Sequence, residues 1–252
     1  MADDLDPRRH LKLAGTVNTR DVGGYATIDG RQTPWGRLLR SDALDQLEPQ
    51  SQQALLDYGL RSVLDLRKSR EIQEKRSVFF GSDRVQYYHQ NMVGDTLIRE
   101  RESIPGSLDY GEHMRWSYSV VLDRRKSHIH DTLCLLSQPD AMPALVHCAG
   151  GTERTGLIIA LVLGIAGVPE ETIAADFALT ARLTYGHFLE PHPEVDADNY
   201  TMEDHQNGQC RPETMLAVLR TLEERYCGVV GYARNIGMSE EQIAALREAI
   251  VE

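Results

Sequence analysis

The chain has 252 residues, 41% of them hydrophobic, and its formal net charge at pH 7 is −11. This length and composition suit one folded domain over residues 1–252, and the negative charge argues against binding to nucleic acid or to an anionic membrane, because both attract clustered Lys and Arg side chains. The N-terminal segment lacks the basic and apolar stretches of a secretory signal, and no apolar run is long enough to span a membrane, so we expect a cytoplasmic protein, with export by a signal-independent route left open.

Segments that favour strands alternate with segments that favour helices. A turn is predicted over residues 18–27, where two adjacent glycines relax the backbone. Short apolar runs predict strands at residues 37–44, 62–66, 85–90 and 143–148. Helical periodicity or a continuous apolar run predicts helices over residues 48–59, 112–138, 154–167 and 169–183, followed by three more after residue 211. This alternation is typical of an α/β fold whose sheet is covered by helices on both faces.

Two segments have little periodicity. Residues 91–111 combine mixed charge with turn signals, which predicts a surface loop or a mobile lid. Residues 185–211 form a polar insertion rich in histidine and acidic residues. The spacing of those residues matches no metal-ligand pattern, so we expect no metal site there.

Residues 145–160, LVHCAGGTERTGLIIA, place a glycine-rich turn between an apolar strand and an apolar helix. Such a turn directs several backbone N–H groups at one point, and the start of the helix adds partial positive charge, so an oxyanion site is predicted. Gly151 and Gly156 have the GxxxxG spacing of a nucleotide-binding loop, but Leu157 and Ile158 stand where that loop needs Lys and then Ser or Thr. The nucleotide-binding interpretation therefore fails.

Cys148 and Arg154 give this turn a different chemistry. A thiol ionises at about pH 8.5 in water, and a helix N-terminus or a nearby cation lowers that value, which favours a nucleophilic thiolate. Arg154 can offer two N–H groups of its planar guanidinium to two phosphate oxygens. We therefore predict attack of Cys148 on a phosphate group, a phosphoryl-cysteine intermediate and its hydrolysis, with no metal ion and no cofactor.

The other residues of the turn are assigned supporting roles. The predicted phosphate loop contains Ala149, Gly150, Gly151, Thr152, Thr155 and Gly156. His147 can orient the loop by a hydrogen bond from its ring to the backbone, or it can be an ordinary core histidine. The Thr155 hydroxyl can donate to the departing thiolate in the second step, or serve only as a hydroxyl at the helix start.

The stretch HCAGGTERTG matches the HCxxxxxR(S/T) signature of cysteine-dependent protein phosphatases. With NTRDVGGY, GRLLRSDAL, VLDLRKSRE and the C-terminal segment that starts at PETMLAVLRTLEERY, it resembles the bacterial tyrosine/serine phosphatases over most of residues 14–251. The resemblance implies a central, mostly parallel sheet of four to five strands flanked by helices, no metal ion and a phosphomonoester substrate. Family members usually read HCxxGKDRTG, and this chain has Thr152 in place of the Lys and Glu153 in place of the Asp. Without that lysine, a second phosphate group on the substrate has no cationic partner at this position.

A general acid is expected near the phosphate, because the leaving group needs a proton. Glu153 in the loop is one candidate. Asp65 is the other, because the carboxyl ends of parallel strands converge on the ligand site; its alternative role is a salt bridge with Arg67 or Arg20. Arg20 and Asp21 are assigned as supporting residues, and Asp21 is expected to bond to the backbone around the double glycine.

The sequence leaves several functions open. A protein tyrosine or dual-specificity phosphatase is the leading hypothesis. A phosphatase for a sugar or nucleotide phosphate would use the same residues, and a thiol-dependent arsenate reductase would need a second cysteine, which no spacing places near Cys148. A non-catalytic phosphate-binding module would not need both Cys148 and Arg154. The expected partner is therefore a phosphorylated protein or a small phosphomonoester.

Overall fold

A computed structural model describes residues 5–94, 110–190, 192 and 195–252 of the chain. The strands are β1 (Arg20–Asp21), β2 (Leu38–Ser41), β3 (Ser62–Asp65), β4 (Gln86–His89) and β5 (Ala144–His147). The helices are α1 (Pro49–Asp57), α2 (Ser69–Glu74), α3 (Tyr110–Arg124), α4 (Lys126–Leu136), α5 (Glu153–Ala166), α6 (Glu170–Phe188), α7 (Met202–Gln209), α8 (Pro212–Tyr226), α9 (Gly228–Asn235) and α10 (Glu240–Ala249). Within the described ranges, no helix combines the length and the hydropathy needed to cross a membrane.

The five strands form one sheet in the order β1-β2-β5-β3-β4. Strands β2, β5, β3 and β4 are parallel, and β1 is antiparallel to β2 at one edge. In register, His147 at the end of β5 lies between Ser41 at the end of β2 and Asp65 at the end of β3. The predicted mostly parallel sheet flanked by helices is confirmed, and its carboxyl edge brings these three side chains together.

Alternate residues of each central strand enter two different hydrophobic clusters. Leu64 and Val146 belong to the larger cluster, which contains α5, whereas Val63 and Leu145 belong to a smaller cluster with Leu55 of α1. This alternation follows from the two-residue period of a strand, which directs neighbouring side chains to opposite faces. Both faces of the sheet are therefore covered.

Helix α5 is buried on nearly every side, as its continuous apolar sequence predicts. It ends at Gly167, which adopts the left-handed conformation with a φ of 86°. Neighbouring helices pack directly on its backbone at two glycines. A Cβ at Gly156 would lie 2.7 Å from the Phe177 ring, and one at Gly164 would lie 2.6 Å from Val229. The helix is thus fixed closely between α6 and α9.

Two helices occupy residues 112–138, where the sequence pattern indicates a single helical stripe. Arg125 interrupts the helical geometry between α3 and α4. Its guanidinium donates to the carbonyl oxygens of Asn91 (2.8 Å) and Met92 (3.3 Å). These contacts to the segment after β4 are a tertiary interaction, which a periodicity argument does not include.

The turn predicted over residues 18–27 also contains a strand, because β1 pairs with β2 before the double glycine. The N-terminal arm is tied to this strand. Arg9 donates to the carbonyl oxygen of Asp21 at 2.8 Å, and its guanidinium lies 4.0 Å from the centre of the Tyr25 ring. Residues just before β1 are thus held on the domain.

The two irregular segments differ in how much of them is described. The lid predicted at residues 91–111 lies largely outside the described residues. The insertion predicted at 185–211 is partly helical, since α6 continues through Phe188 and α7 follows. Thr201 caps α7 by accepting a hydrogen bond from the backbone N–H of Asp204 at 3.1 Å. The Thr-x-x-Asp pattern is a helix-capping signal, but the polar composition of this segment favoured an irregular insertion instead of a helix.

Candidate active site

The glycine-rich turn joins the carboxyl end of β5 to the first turn of α5. Cys148 directly follows β5 and is fully buried. Arg154 is the second residue of α5 and lies at the same edge of the sheet. The strand and the helix therefore bring the two predicted catalytic residues to the two ends of one short loop.

Residues 149–152 use their backbone C=O groups and their backbone N–H groups differently. The carbonyl oxygens are bonded on the protein side: Ala149 O accepts from Ala43 N (2.9 Å), Gly150 O from Asn18 Nδ2 (2.9 Å) and Gly151 O from Arg40 Nη2 (2.7 Å). In the described part of the chain, no group accepts a hydrogen bond from the N–H groups of residues 149–152. Free N–H groups beside a helix N-terminus are the donors that an oxyanion needs.

Arg154 is held by Glu71 of α2 through two hydrogen bonds. Nη1 donates to Oε2 at 2.6 Å and Nη2 to Oε1 at 3.1 Å. A guanidinium has five N–H groups, and within the described part of the chain Glu71 takes two of them, so three can bind a substrate. Burial alone would lower the pKa of Arg154, but the charges of Cys148 and Glu71 outweigh it and hold the pKa above its ordinary value. The guanidinium is therefore charged and pre-oriented.

Glu71 was not identified from the sequence. It belongs to VLDLRKSRE and stands 83 positions before Arg154, so no local spacing connects the two residues. A sequence signal that could have pointed to Glu71 is an acidic residue in the first turn of a short helix that directly follows a strand of the sheet. Oε2 of Glu71 also accepts from the backbone N–H of Lys68 at 2.8 Å, which fixes the carboxylate at the start of α2.

Asp65 lies at the end of β3 and is fully buried. Oδ1 accepts from Nε of Arg67 at 3.0 Å, and Oδ2 accepts from Nη2 of Arg67 at 2.7 Å and from the Tyr87 hydroxyl at 2.6 Å. Burial alone would raise the pKa of Asp65, but His147, Arg67 and Tyr87 together hold it below its usual value. This geometry corresponds to the salt-bridge alternative for Asp65.

His147 lies between Asp65 and the backbone of the nucleophile. Its Nδ1 is 3.1 Å from the carbonyl oxygen of Cys148, and its Nε2 is 3.4 Å from Oδ2 of Asp65. Burial lowers the pKa of His147, although the charge of Asp65 opposes that shift. The ring thus contacts the backbone at Cys148, the contact expected of a loop-orienting residue.

Thr155 and Glu153 occupy the first turn of α5. The Thr155 hydroxyl is buried and has no hydrogen-bond partner among the described residues. A buried hydroxyl without a partner is costly in free energy, so its position needs another explanation. Glu153 is half-buried, and its side chain borders the pocket beside Arg154.

A pocket of about 150 Å³ opens beside Arg154. Apolar side chains form the larger part of its wall, which also contains the charged residues Lys68, Glu153 and Arg154. It is lined by Lys68, Met92, Val93, Met114, Trp116, Ser117, Tyr118, Val120, Val121, Glu153, Arg154 and Leu157. A cavity of roughly this volume accommodates a benzene-sized molecule, so an aromatic group on a bound phosphate has room next to the loop.

The two supporting residues of β1 have different partners. Asp21 accepts hydrogen bonds from the backbone N–H groups of Gly23 (2.7 Å) and Gly36 (2.7 Å) and from the Tyr58 hydroxyl (2.5 Å). The expected bond to the double glycine is thus present at Gly23, and Asp21 also ties Gly36 and Tyr58 to this strand. Arg20 is fully buried and donates to Asn18, the residue that bonds to the loop at Gly150.

Two histidines of the insertion, His192 and His205, have protein partners. The two ring nitrogens of His205 lie 2.9 Å from the Thr184 hydroxyl and 3.1 Å from the Tyr200 hydroxyl. The His192 ring stacks on Phe188 with a centroid separation of 4.1 Å. Over the described ranges, no group of three or more His, Cys, Asp or Glu side chains is arranged to hold a metal ion.

Comparison with known proteins adds independent findings. The model of the tyrosine phosphatase family matches residues 11–252. A tyrosine-protein phosphatase of Nostoc commune is 28% identical over 231 residues, which cover 85% of this chain and 74% of that protein. The triple specificity protein phosphatase PtpB of Mycobacterium tuberculosis is 28% identical over 279 residues, which cover 95% of this chain and 98% of that protein. Since the family model spans nearly the whole chain, this protein belongs to the tyrosine phosphatase family and is a cysteine-dependent phosphatase.

Proposed function

We propose that this phosphatase hydrolyses phosphotyrosine in proteins, with Cys148 as the nucleophile. The pocket beside Arg154 is the observation that carries the substrate class, because its volume of about 150 Å³ and its apolar wall suit an aromatic ring. Apolar side chains in this wall, such as Met92, Met114 and Val121, suit the ring and offer no hydrogen bond to the hydroxyl groups of a sugar or nucleoside.

In the first step, the phosphate occupies the loop with its phosphorus above the sulfur of Cys148. The N–H groups of residues 149–152 and the free N–H groups of Arg154 bind the phosphate oxygens and stabilise the charge that is redistributed during transfer. The thiolate forms the S–P bond while the P–O bond to the phenolic oxygen breaks. The electron pair of that bond stays on the phenolic oxygen, which receives a proton from Glu153.

In the second step, water attacks the phosphoryl-cysteine intermediate. Glu153, now a carboxylate, accepts a proton from the water, and the S–P bond breaks to release inorganic phosphate. The buried hydroxyl of Thr155 has no partner among the described residues. We assign it to the leaving thiolate of Cys148, where a hydrogen bond stabilises the departing charge.

We assign the general acid to Glu153 rather than Asp65. Both oxygens of Asp65 accept hydrogen bonds within the protein, and its pKa is held below its usual value, which disfavours the protonated form that a general acid needs. Glu153 borders the pocket in which the aromatic leaving group is placed. Asp65 is therefore assigned to holding Arg67 and His147.

The substrate class is tested with a panel at equal concentration. It contains a phosphotyrosine peptide, the matching phosphoserine peptide, a sugar phosphate and a nucleoside monophosphate. We expect the highest kcat/KM with the phosphotyrosine peptide, loss of all turnover in Cys148→Ser, and normal turnover in the control Cys227→Ser, because Cys227 is exposed. Faster hydrolysis of the sugar or nucleoside phosphate would refute the proposed substrate, and turnover by Cys148→Ser would refute the nucleophile.

The acid is tested by comparing two leaving groups. Glu153→Gln should lower kcat on the phosphotyrosine peptide by about 10²-fold, the low end for general acid catalysis. The same variant should lose much less on p-nitrophenyl phosphate, because nitrophenolate leaves readily without a proton. Equal losses on both substrates would assign Glu153 to another role.

A further inference from the structure

A cluster of buried charges lies behind the phosphate loop. Asp176 of α6 is 2% exposed and stands between two fully buried arginines. Its Oδ2 accepts from Nη1 of Arg40 at 2.6 Å, and its Oδ1 accepts from Nε of Arg20 at 3.2 Å and from the Tyr25 hydroxyl at 2.9 Å. We call Asp176, Arg20, Arg40 and Asn18 the rear cluster. None of the mechanistic steps above uses Asp176 or Arg40.

Both arginines of the rear cluster are connected to the loop. Arg40 donates directly to the carbonyl oxygen of Gly151 at 2.7 Å. Arg20 donates to the side-chain oxygen of Asn18, whose amide nitrogen in turn donates to the carbonyl oxygen of Gly150 at 2.9 Å. Two consecutive peptide groups of the loop are thus bonded to the rear cluster by their carbonyl oxygens.

These bonds set the direction of the N–H groups. In a planar trans peptide, the C=O and the following N–H point in opposite directions. Because the carbonyls of Gly150 and Gly151 face the rear cluster, the N–H groups of Gly151 and Thr152 face away from it, on the side left free for an anion. If either peptide rotated, a carbonyl oxygen would face the phosphate and repel it.

Gly151 shows how closely the loop fits against the residues behind it. It has a φ of 69°, and a Cβ at this position would lie 2.5 Å from Ser41 O and 2.7 Å from Nδ2 of Asn18. Such separations are shorter than real Cβ contacts, so only glycine fits here. The loop conformation therefore depends on contact with the elements behind it.

Asp176 supplies the negative charge that this arrangement needs. Burial and the nearby charge of Arg40 lower the pKa of Arg20 to about 10, which shows that the two cations disfavour each other. Among the residues that the structure describes, Asp176 is the one carboxylate within 4.0 Å of either guanidinium. Without it, two buried cations would repel each other with no compensating charge.

We propose that Asp176 is a positioning residue of the phosphatase reaction, which acts through Arg40 and Arg20 to hold the loop peptides with their N–H groups toward the phosphate. The proposal rests on the proposed function only in taking this loop as the phosphate site. It extends the machinery to a carboxylate on α6, behind the loop, that touches neither substrate nor nucleophile.

The test measures anion affinity separately from stability. The full chain and its Asp176→Asn variant are compared for inhibition by inorganic phosphate, with p-nitrophenyl phosphate as substrate, and for unfolding in urea. Asp176→Asn keeps the shape of the side chain and removes its charge. We expect the inhibition constant of phosphate to rise about tenfold or more, with a parallel rise in KM, because charge-assisted hydrogen bonds that orient the donors are lost.

Two control variants separate positioning from simple destabilisation. Leu55→Ala removes a fully buried side chain from the cluster on the other face of the sheet and should destabilise the fold by about 2–5 kcal/mol. Its phosphate inhibition constant should stay within twofold of wild type. Tyr25→Phe removes one hydrogen bond to Asp176 and leaves both arginines in place, so it should also stay within about twofold.

Arg40→Lys keeps a cation beside Asp176 but cannot reproduce the planar fork that also reaches Gly151. It should raise the inhibition constant of phosphate, and it decides the question if Asp176→Asn does not fold. If Asp176→Asn folds and its inhibition constant for phosphate equals that of wild type, the proposal is overturned. If Asp176→Asn does not fold, a wild-type inhibition constant for phosphate in Arg40→Lys overturns it. A rise in Leu55→Ala equal to that in Asp176→Asn overturns it as well. If the phosphotyrosine peptide is not the preferred substrate, by contrast, the proposed substrate is refuted, but the effect of Asp176→Asn on the inhibition constant of phosphate still stands.

Discussion

Two arginine–carboxylate pairs lie at the carboxyl edge of the sheet, and their acids are only six positions apart in the sequence. Arg67 and Asp65 are 2% and 0% exposed, with N···O at 2.7 Å. Arg154 and Glu71 are 17% and 29% exposed, with N···O at 2.6 Å. The contact distances are nearly the same, so the difference between the pairs is their access to solvent and to a substrate.

This difference assigns the pairs to different tasks. A buried pair has lost its hydration, and removing one partner leaves an uncompensated charge that costs about 3–5 kcal/mol. A partly exposed pair adds little to stability, but Glu71 takes two N–H groups of Arg154 and can fix its orientation, while the other three can bind phosphate. We therefore expect Asp65 variants to affect folding and Glu71 variants to affect catalysis.

The largest effect should come from Asp65→Asn. The neutral amide removes the negative charge 2.7 Å from Arg67 and leaves the guanidinium with the longer contact to Asp45 at 3.7 Å, so the free energy of unfolding at pH 7 should fall by about 3 kcal/mol in urea titrations. Because the pKa of Asp65 is lowered in the folded state, its stabilisation is present above the unfolded-state pKa of about 3.9 and is lost as pH falls through the folded-state pKa. The difference between wild type and variant should therefore shrink in acid.

Asp140→Asn is the matched control for this variant. Asp140 is exposed and lies 3.9 Å from an exposed Arg61, so its substitution should change the unfolding free energy by less than about 0.5 kcal/mol. A difference for Asp65→Asn that stayed constant between neutral and strongly acidic pH would contradict the assignment of Asp65 as an ionised, buried partner.

Arg154→Lys should lower catalytic activity rather than stability, the opposite of Asp65→Asn. A lysine ammonium cannot bond to Glu71 and to two phosphate oxygens with the same planar geometry, so kcat/KM on p-nitrophenyl phosphate should fall by about 10²-fold or more. The unfolding free energy should change little. Arg70→Lys is the control, since Arg70 is exposed and pairs with Glu74 on the surface of α2. A stable Arg154→Lys enzyme with normal kcat/KM would remove Arg154 from the reaction.

Glu71→Gln should have a smaller effect on catalysis. The amide keeps one acceptor for Arg154 and loses the charge that orients the guanidinium, so kcat/KM should fall about tenfold, the value of one charge-assisted hydrogen bond. Glu74→Gln on the same helix should be neutral, because Glu74 contacts Arg70 and not the loop. Equal activity in the two variants would show that Glu71 does not position Arg154.

The smallest effect is expected for Tyr87→Phe. This change removes the 2.6 Å hydrogen bond to Asp65 and leaves both contacts from Arg67 in place. The unfolding free energy should fall by about 1 kcal/mol, with activity close to wild type. A loss as large as that of Asp65→Asn would mean that the hydroxyl, rather than the ion pair, dominates the buried site.

The sequence predicts the parts of the site that are local. Cys148 and Arg154 stand six positions apart in one strand–turn–helix unit, so their spacing alone determines that they meet. Asp65 was placed at the correct edge because strand ends converge there, but its partners depend on the side chain of Tyr87 on the next strand. The sequence could therefore give its location and left two roles open, general acid or salt bridge with Arg67 or Arg20, of which the contacts correspond to the pair with Arg67.

Partners contributed by distant elements could not be predicted in this way. Asp176 stands 156 positions after Arg20 and 136 after Arg40, on the buried face of a helix whose sequence shows only ordinary periodicity. An acid at such a position looks like any other helical acid until the placement of α6 beside Arg20 of β1 and Arg40 of β2 is known. The fold class, in contrast, follows from the alternation of strand and helix patterns, which is repeated along the whole chain.

The enclosure of α5 between neighbouring helices also has a thermodynamic consequence for binding. The loop begins at a central strand and ends at this tightly held helix, so its backbone is ordered when the chain folds rather than when a substrate arrives. Association with a phosphate then needs little further loss of conformational entropy, and more of the interaction energy is expressed as affinity.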